Sequence, residues 1–230
     1  MKNFLLIGAS SGIGRELALQ LSAEGHMVWA TWCHNERPNE PHINYFRFDT
    51  MNEAFNPEHL PEQLDGLVYC PGSIQLKPFA RLSSEIFVND FQLNVIGAVK
   101  VIQTVLPRLK KSDRSSVVLF STVAVQTGMT FHASVAASKG AIEGLTRSLA
   151  AELAPAINVN CIAPSLTDTP LASGLLNTSE KQLAAAQRHP LKRIGSAEEI
   201  ASLAAFLLSE KSRWMTGQII HADGGMGSLK

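Results

Sequence analysis

The densest stretch of chemistry in the chain is Gly8-Ala9-Ser10-Ser11-Gly12-Ile13-Gly14. It follows an apolar run from Lys2 to Ile7 and opens a helical pattern carried by Ile13, Leu17 and Leu21, which stops at Gly25. Glycines at a strand-to-helix turn let the backbone bend tightly and let an anion come close. The first turn of the helix offers unpaired N–H groups and the positive end of its dipole. Ser10 and Ser11 add hydroxyl donors. The stretch reads as a turn for a pyrophosphate, spaced G-x-x-x-G-x-G rather than G-x-G-x-x-G. A second concentration of chemistry surrounds Lys139. Val135 lies one helical turn before it and His132 one turn before that, so the three share a face. An imidazole with a pKa of about 6.5 suits proton transfer at neutral pH.

These residues need a scaffold, and the rest of the chain supplies its pattern. Short β-like runs cover Lys2 to Ile7, Met27 to Trp32, Ile43 to Phe48, Gly66 to Cys70, Val117 to Ser121, Ile157 to Ala163 and Thr216 to His221. Between them lie helical patterns, a long one from about Ser83 to Lys110 and a small-residue-rich one from Ala136 to Ala154. Ser196 and Glu199 form a capping box ahead of another. Apolar strands separated by helices imply a parallel sheet covered on both faces. The expected fold is α/β, a Rossmann-type doubly wound three-layer sandwich with a parallel sheet of about seven strands. The least regular stretches are His34 to His42, Met51 to Gln63 and Leu166 to Pro190.

The composition narrows the function. The chain has 230 residues, 45% hydrophobic and 17% charged, with 20 basic residues against 20 acidic. That size fits one domain spanning 1–230 with a full core. A neutral chain without a basic stripe is expected to bind neither nucleic acid nor an anionic membrane. Leu203 to Leu208 is among the longest apolar runs, far below the roughly 18 residues of a membrane span. The apolar run that follows Met1-Lys2-Asn3 is too short for a signal peptide. Cys33, Cys70 and Cys161 stand far apart with no metal-ligand spacing, so no metal site and a reduced, cytoplasmic setting are expected.

The glycine spacing brings in a family. With several further motifs, the chain resembles the short-chain dehydrogenase/reductase superfamily over nearly its whole length. Asp49-Thr50 looks like the adenine-contacting pair, Asn94 like the helix Asn, and Ala137-Ser138-Lys139-Gly140-Ala141 like the segment around the catalytic Lys. Cys70-Pro71-Gly72 stands in the place of the usual Asn-Ala-Gly. Pro164, Leu166, Thr167 and Thr169 fall in the loop after the sixth strand, and Asp223-Gly224-Gly225 in the C-terminal signature. The resemblance implies an NAD(P)-dependent oxidoreductase acting on a small-molecule carbonyl or alcohol through a Ser, Tyr, Lys and Asn set. Lys139 and Asn94 are in place, and Thr122 takes the Ser position, with Ser121 beside it. The Tyr position holds Val135, which offers no proton. His132 or a water is the expected substitute, while Ser134 is a poor acid and Tyr69 is expected to pack against the cofactor or sheet. The alternative is a dinucleotide-binding protein with little chemistry, acting as a sensor or partner subunit.

In this fold NAD preference needs an acid at the end of the second strand. The chain has Ala30-Thr31-Trp32-Cys33-His34 there, and Arg15 and Arg37 lie nearby. That favours NADP over NAD. Only sixteen residues separate Asp49 from Gly66, so the crossover helix is expected to be reduced or replaced by a loop. The segment 166–190 resembles the family's substrate lid. The resemblance also implies self-association to a dimer or tetramer.

Overall fold

A computed structural model describes residues 1–229. The chain runs through β1 (Asn3–Ile7), α1 (Gly12–Ala23), β2 (Met27–Trp32), β3 (Ile43–Arg47) and β4 (Gly66–Tyr69). It continues through α2 (Ser84–Phe91), α3 (Gly97–Leu109), β5 (Ser115–Phe120), α4 (Ala124–Thr127) and α5 (Ala133–Leu153). It ends with β6 (Ile157–Pro164), β7 (Thr167–Asp168), α6 (Ser179–Gln187), β8 (Gly195–Ser196), α7 (Ala197–Leu208) and β9 (Ile219–Ala222). Seven strands form one sheet in the order β3-β2-β1-β4-β5-β6-β9, every pair parallel. The fold is the expected Rossmann-like α/β sandwich. The chain reverses its direction of winding between β1 and β4, and a crevice opens there at the carboxyl ends of the strands.

Alternation along β1 shows why both faces are covered. Phe4 and Leu6 point into one core, with Leu17 and Leu21 of α1 and Ile200 and Leu207 of α7. Leu5 and Ile7 point into the other, with Val101 and Val105 of α3 and Ile142 of α5. Burying each such side chain contributes roughly 1.5–3 kcal/mol. The fit is tight: a Cβ on Gly66 would stand 2.7 Å from Leu208 Cδ2 and 2.9 Å from Phe4 Cδ1.

Several boundaries differ from the sequence pattern: the last strand, expected from Thr216, starts at Ile219, and the fifth, expected from Val117, starts at Ser115. The long helical stretch is interrupted by a π turn at Gln92–Ile96, between α2 and α3. There the Tyr69 hydroxyl donates to the Leu93 carbonyl at 2.6 Å, drawing that oxygen toward β4. The helix expected from Ala136 starts at Ala133, because Ser134 and Val135 are already buried. The stretch 166–190 is more regular than its composition suggests. It holds β7, a 3₁₀ turn at Pro170–Leu175 and α6, whose N-cap Thr178 accepts from Lys181 N. The crossover from β3 to β4 has no helix. Turns carry it, and Phe48, Phe55, Leu60 and Leu64 plug it into the sheet, with the Phe48 and Phe55 rings edge to face at 4.9 Å.

Candidate functional site

Two cavities of about 420 and 500 Å³ meet above the carboxyl ends of the strands, sharing Ile13, Cys70, Gly72, Thr169 and Leu171. The glycine turn lines the smaller cavity through Gly8 and through Ser10 to Gly14. Its shape follows from the sequence. Gly8 has φ +76°, a left-handed conformation that side chains disfavour, and a Cβ there would press on Pro71 at 3.2 Å. A Cβ on Gly14 would meet the Gly8 carbonyl oxygen at 2.6 Å, so only glycine lets α1 start this close to β1. The N-cap Ser11 makes no capping bond and the first turn of α1 carries no acid. Free N–H groups therefore face the cavity with nothing to repel an anion. This donor set fits a pyrophosphate.

The other walls come from neighbouring strand ends. Cys33 and His34 follow β2, Asp49 and Thr50 follow β3, and Cys70-Pro71-Gly72 follows β4; all line the smaller cavity. Asp49 accepts from Met51 N at 2.9 Å and Asn52 Nδ2 at 2.9 Å, which holds its carboxyl below the usual range. Burial raises the Cys33 thiol. Arg15 is committed to Glu40 at 2.8 Å and to the Tyr45 hydroxyl at 3.3 Å. Arg37 instead folds over the turn, its Nε donating to the Ser10 carbonyl at 2.9 Å. Sequence reasoning missed Thr31, Asn35, Met51 and Leu93, which also line this cavity. Thr31 does so by tertiary pairing, its Oγ1 accepting from Gly8 N at 2.8 Å.

The larger cavity brings together Thr122, His132, Val135, Lys139, Pro164, Leu166, Thr167 and Thr169. Lys139 is 7% exposed, and burial lowers its pKa to about 8. Val135 is 6% exposed on the same face. His132 sits at the N-cap of α5, and its Nδ1 lies 2.7 Å from the Thr130 carbonyl, which assigns the ring proton to that nitrogen. The Ser121 hydroxyl is spent on Glu143 at 2.7 Å. Thr122 Oγ1 accepts from Ala124 N at 3.3 Å and keeps its own proton free.

Asn94 lines neither cavity. It is 1% exposed in the π turn, its Nδ2 donates to the Asp90 carbonyl at 2.8 Å, and its Oδ1 has no partner. Tyr69 is turned into the fold, and burial raises its phenol. Ser134 is likewise turned away from the cavity, onto the Asp90 carboxylate. Two cavity residues carried no sequence signal: Ser165 Oγ and His189 Nε2 are 2.9 Å apart, and His189 Nδ1 is 2.8 Å from the Ala185 carbonyl. Among the described residues no group of three or more His, Cys, Asp or Glu side chains could hold a metal ion. No helix is long and apolar enough to cross a membrane.

The chain is similar to known proteins over nearly its whole length. A family model described as Enoyl-(Acyl carrier protein) reductase matches residues 48–227. A 3-oxoacyl-(acyl-carrier-protein) reductase FabG from Aquifex aeolicus is 31% identical, the match covering 96% of each chain. A tropinone reductase homolog from Arabidopsis thaliana is 37% identical over 97% of this chain and 92% of that one. The ligand-free aldohexose dehydrogenase of Thermoplasma acidophilum superposes with a TM-score of 0.88 at 26% identity, over 100% of this chain and 95% of that one. The turn at Gly8, the buried Lys139 and the parallel sheet that positions them thus have one common source: the chain belongs to the short-chain dehydrogenase/reductase superfamily of oxidoreductases.

Proposed function

We propose that the protein is an NAD(P)-dependent oxidoreductase that interconverts a small-molecule carbonyl and its alcohol, with an acid–base group other than a phenol. The observation that carries this reading is the junction of the two cavities. One holds a pyrophosphate-shaped glycine turn, the other a buried lysine and a free threonine hydroxyl. The bound nicotinamide supplies or accepts the hydride. The chain's own residues do the rest. Gly8, Ser10, Ser11, Gly12, Ile13 and Gly14 hold the pyrophosphate, Cys33 and His34 face the adenosine ribose, and Asp49 and Thr50 flank the adenine. Cys70, Pro71 and Gly72 form the floor, and Pro164, Leu166, Thr167 and Thr169 border the nicotinamide end. Thr122 orients the substrate oxygen with its hydroxyl, while Asn94 and Lys139 stand behind it.

Arg37 over the turn, and the lack of an acid from Ala30 to His34 at the end of β2, support NADP as the preferred cofactor. The segment 166–190 serves as the lid, closing one domain of 1–230 over an apolar-bodied substrate beside Ile74, Leu76, Met129 and Leu175. Exposed Val88 and Phe91 on α2 support self-association to a dimer or tetramer.

Val135 favours a second reading, a dinucleotide-binding protein with little chemistry. Its side chain lines the reaction cavity and has no proton to give. Two measurements decide between them. Binding of NADPH and NADH is followed by nicotinamide fluorescence, and a panel of carbonyl compounds is then run with the native protein and with Val135→Tyr. Turnover by the native protein supports the first reading. Turnover by Val135→Tyr alone supports the second, and absence of binding to either dinucleotide overturns both.

A further inference from the structure

A carboxylate no sequence motif pointed to lies directly behind the site. Asp90, on α2, is 3% exposed. Ser73 Oγ donates to its Oδ1 at 2.5 Å and Ser134 Oγ donates to its Oδ2. Asn94 Nδ2 reaches the Asp90 carbonyl and also Ser73 Oγ, at 3.4 Å. Two serine hydroxyls satisfy the buried carboxyl group without bringing an opposite charge to it. Lys139 is the cation the fold brings there. A Cβ on Gly72 would stand 3.5 Å from Lys139 Nζ and 3.5 Å from the unpartnered Asn94 Oδ1, so amine and amide oxygen face one point beside the Asp90 network.

The other groups around Lys139 are neutral thiols or are engaged by other partners. Cys70 after β4 and Cys161 on β6 are thiols that burial pushes up to about 12, so both are neutral at physiological pH. Glu143, one turn further along α5, is occupied by Ser121 at 2.7 Å and Arg147 at 3.7 Å. His132 faces the same cavity, its Nδ1 2.7 Å from the Thr130 carbonyl. Asp90 is the remaining carboxylate whose charge bears on Lys139.

We propose that Asp90 is the buried counter-charge of Lys139, and that the Lys139 ammonium takes the place of a phenol as the acid–base group of the reaction. This rests on the oxidoreductase reading above. In the reducing direction the carbonyl carbon takes up hydride from the reduced nicotinamide, and the π pair of the C=O bond moves onto oxygen. That oxygen takes a proton from Lys139 Nζ, leaving an alcohol and a neutral amine that regains its proton from solvent through the cavity. Oxidation reverses each step. Asp90 does not touch the substrate. It is a positioning residue that keeps the amine charged, assisted by Ser73 and Ser134.

The test reads Lys139 itself, without cofactor. The ¹³Cε resonance of Lys139, assigned by its loss in Lys139→Met, is titrated in the cofactor-free protein. A midpoint near 8 is expected in the native chain, and Asp90→Asn is expected to lower it by about one pH unit or more. Asp90→Val serves if the amide variant does not fold. An unmoved midpoint in a folded variant overturns the counter-charge. Turnover of the carbonyl panel is then followed against pH. Loss of reduction as pH rises through the Lys139 midpoint, displaced to lower pH in Asp90→Asn, supports the acid role, and full turnover by Lys139→Met overturns it. A shifted midpoint in a protein that binds dinucleotide but reduces nothing upholds the counter-charge and overturns the oxidoreductase reading and the acid role with it.

Discussion

Thr31 on β2 and Gly8 just past the end of β1 are bound to each other: Thr31 Oγ1 accepts from Gly8 N at 2.8 Å, and the Thr31 carbonyl accepts from Ala9 N at 2.9 Å. The pair fixes the left-handed entry to the glycine turn. Thr31 is 1% exposed, so Thr31→Val would bury the Gly8 N–H without a partner. We expect a loss of about 1–3 kcal/mol in urea unfolding, together with weaker dinucleotide binding. Thr31→Ser should restore both.

Arg37 offers a direct test of cofactor choice. Its Nε donates to the Ser10 carbonyl at 2.9 Å, which places a cation beside the turn proposed for the phosphates. Arg37→Ala should weaken NADPH by about tenfold, or about 1.4 kcal/mol, and leave NADH nearly unchanged. Equal effects on both cofactors, measured by fluorescence titration, would remove this support for NADP.

Lys139 carries a stability cost as well as a function. Burial sets its folded pKa at about 8 against 10.5 for an ordinary lysine. Below pH 8 the amine is protonated in both states and the full penalty is present. Between those values the unfolded chain binds more protons, so stability rises with pH, and above them the penalty is gone. The difference corresponds to about 3 kcal/mol. The stability of the native protein should therefore rise relative to that of Lys139→Met by about 3 kcal/mol between pH 8 and 10.5. A gap that is constant with pH would contradict the assignment.

The capping box of α7 makes a prediction away from the site. Ser196 Oγ accepts from Glu199 N at 3.3 Å, and Glu199 returns a bond to Ser196 N at 3.0 Å while pairing with Arg193. Those bonds hold the Glu199 carboxyl down at about 2. Ser196→Ala should cost about 1 kcal/mol, seen as a fall of about 2–4 °C in Tm, with dinucleotide affinity unchanged.

The glycine turn was legible because its chemistry is local: the strand, turn and helix that build it are contiguous from Lys2 to Leu21. Lys139 and Val135 were legible because one helix carries both. Thr31 was not, since its role appears only when β2 pairs with β1. Asp90 was not, because its partners Ser73 and Ser134 lie on different elements and none has a signal of its own. The π turn is invisible to a period of 3.6, as apolar residues fall on both sides of Asn94. Helix α6 escaped because its sequence, SEKQLAAAQ, has little apolar stripe, and Ala185 is its only buried residue.

The helix-free crossover between β3 and β4 gives the molecule an uneven resistance to opening. From β4 onward the parallel crossovers are carried by helices, whose amides open only when a layer is lost. Residues 48–65 are held by four apolar plugs and a few turns. The segment begins at Asp49 and Thr50, the wall proposed for the adenine. Hydrogen exchange there should be the fastest of any cavity wall in the free protein and should slow most when dinucleotide binds. The cofactor would then act as the missing clamp of that layer, so that occupancy is reported by the order of a loop rather than by a change in shape.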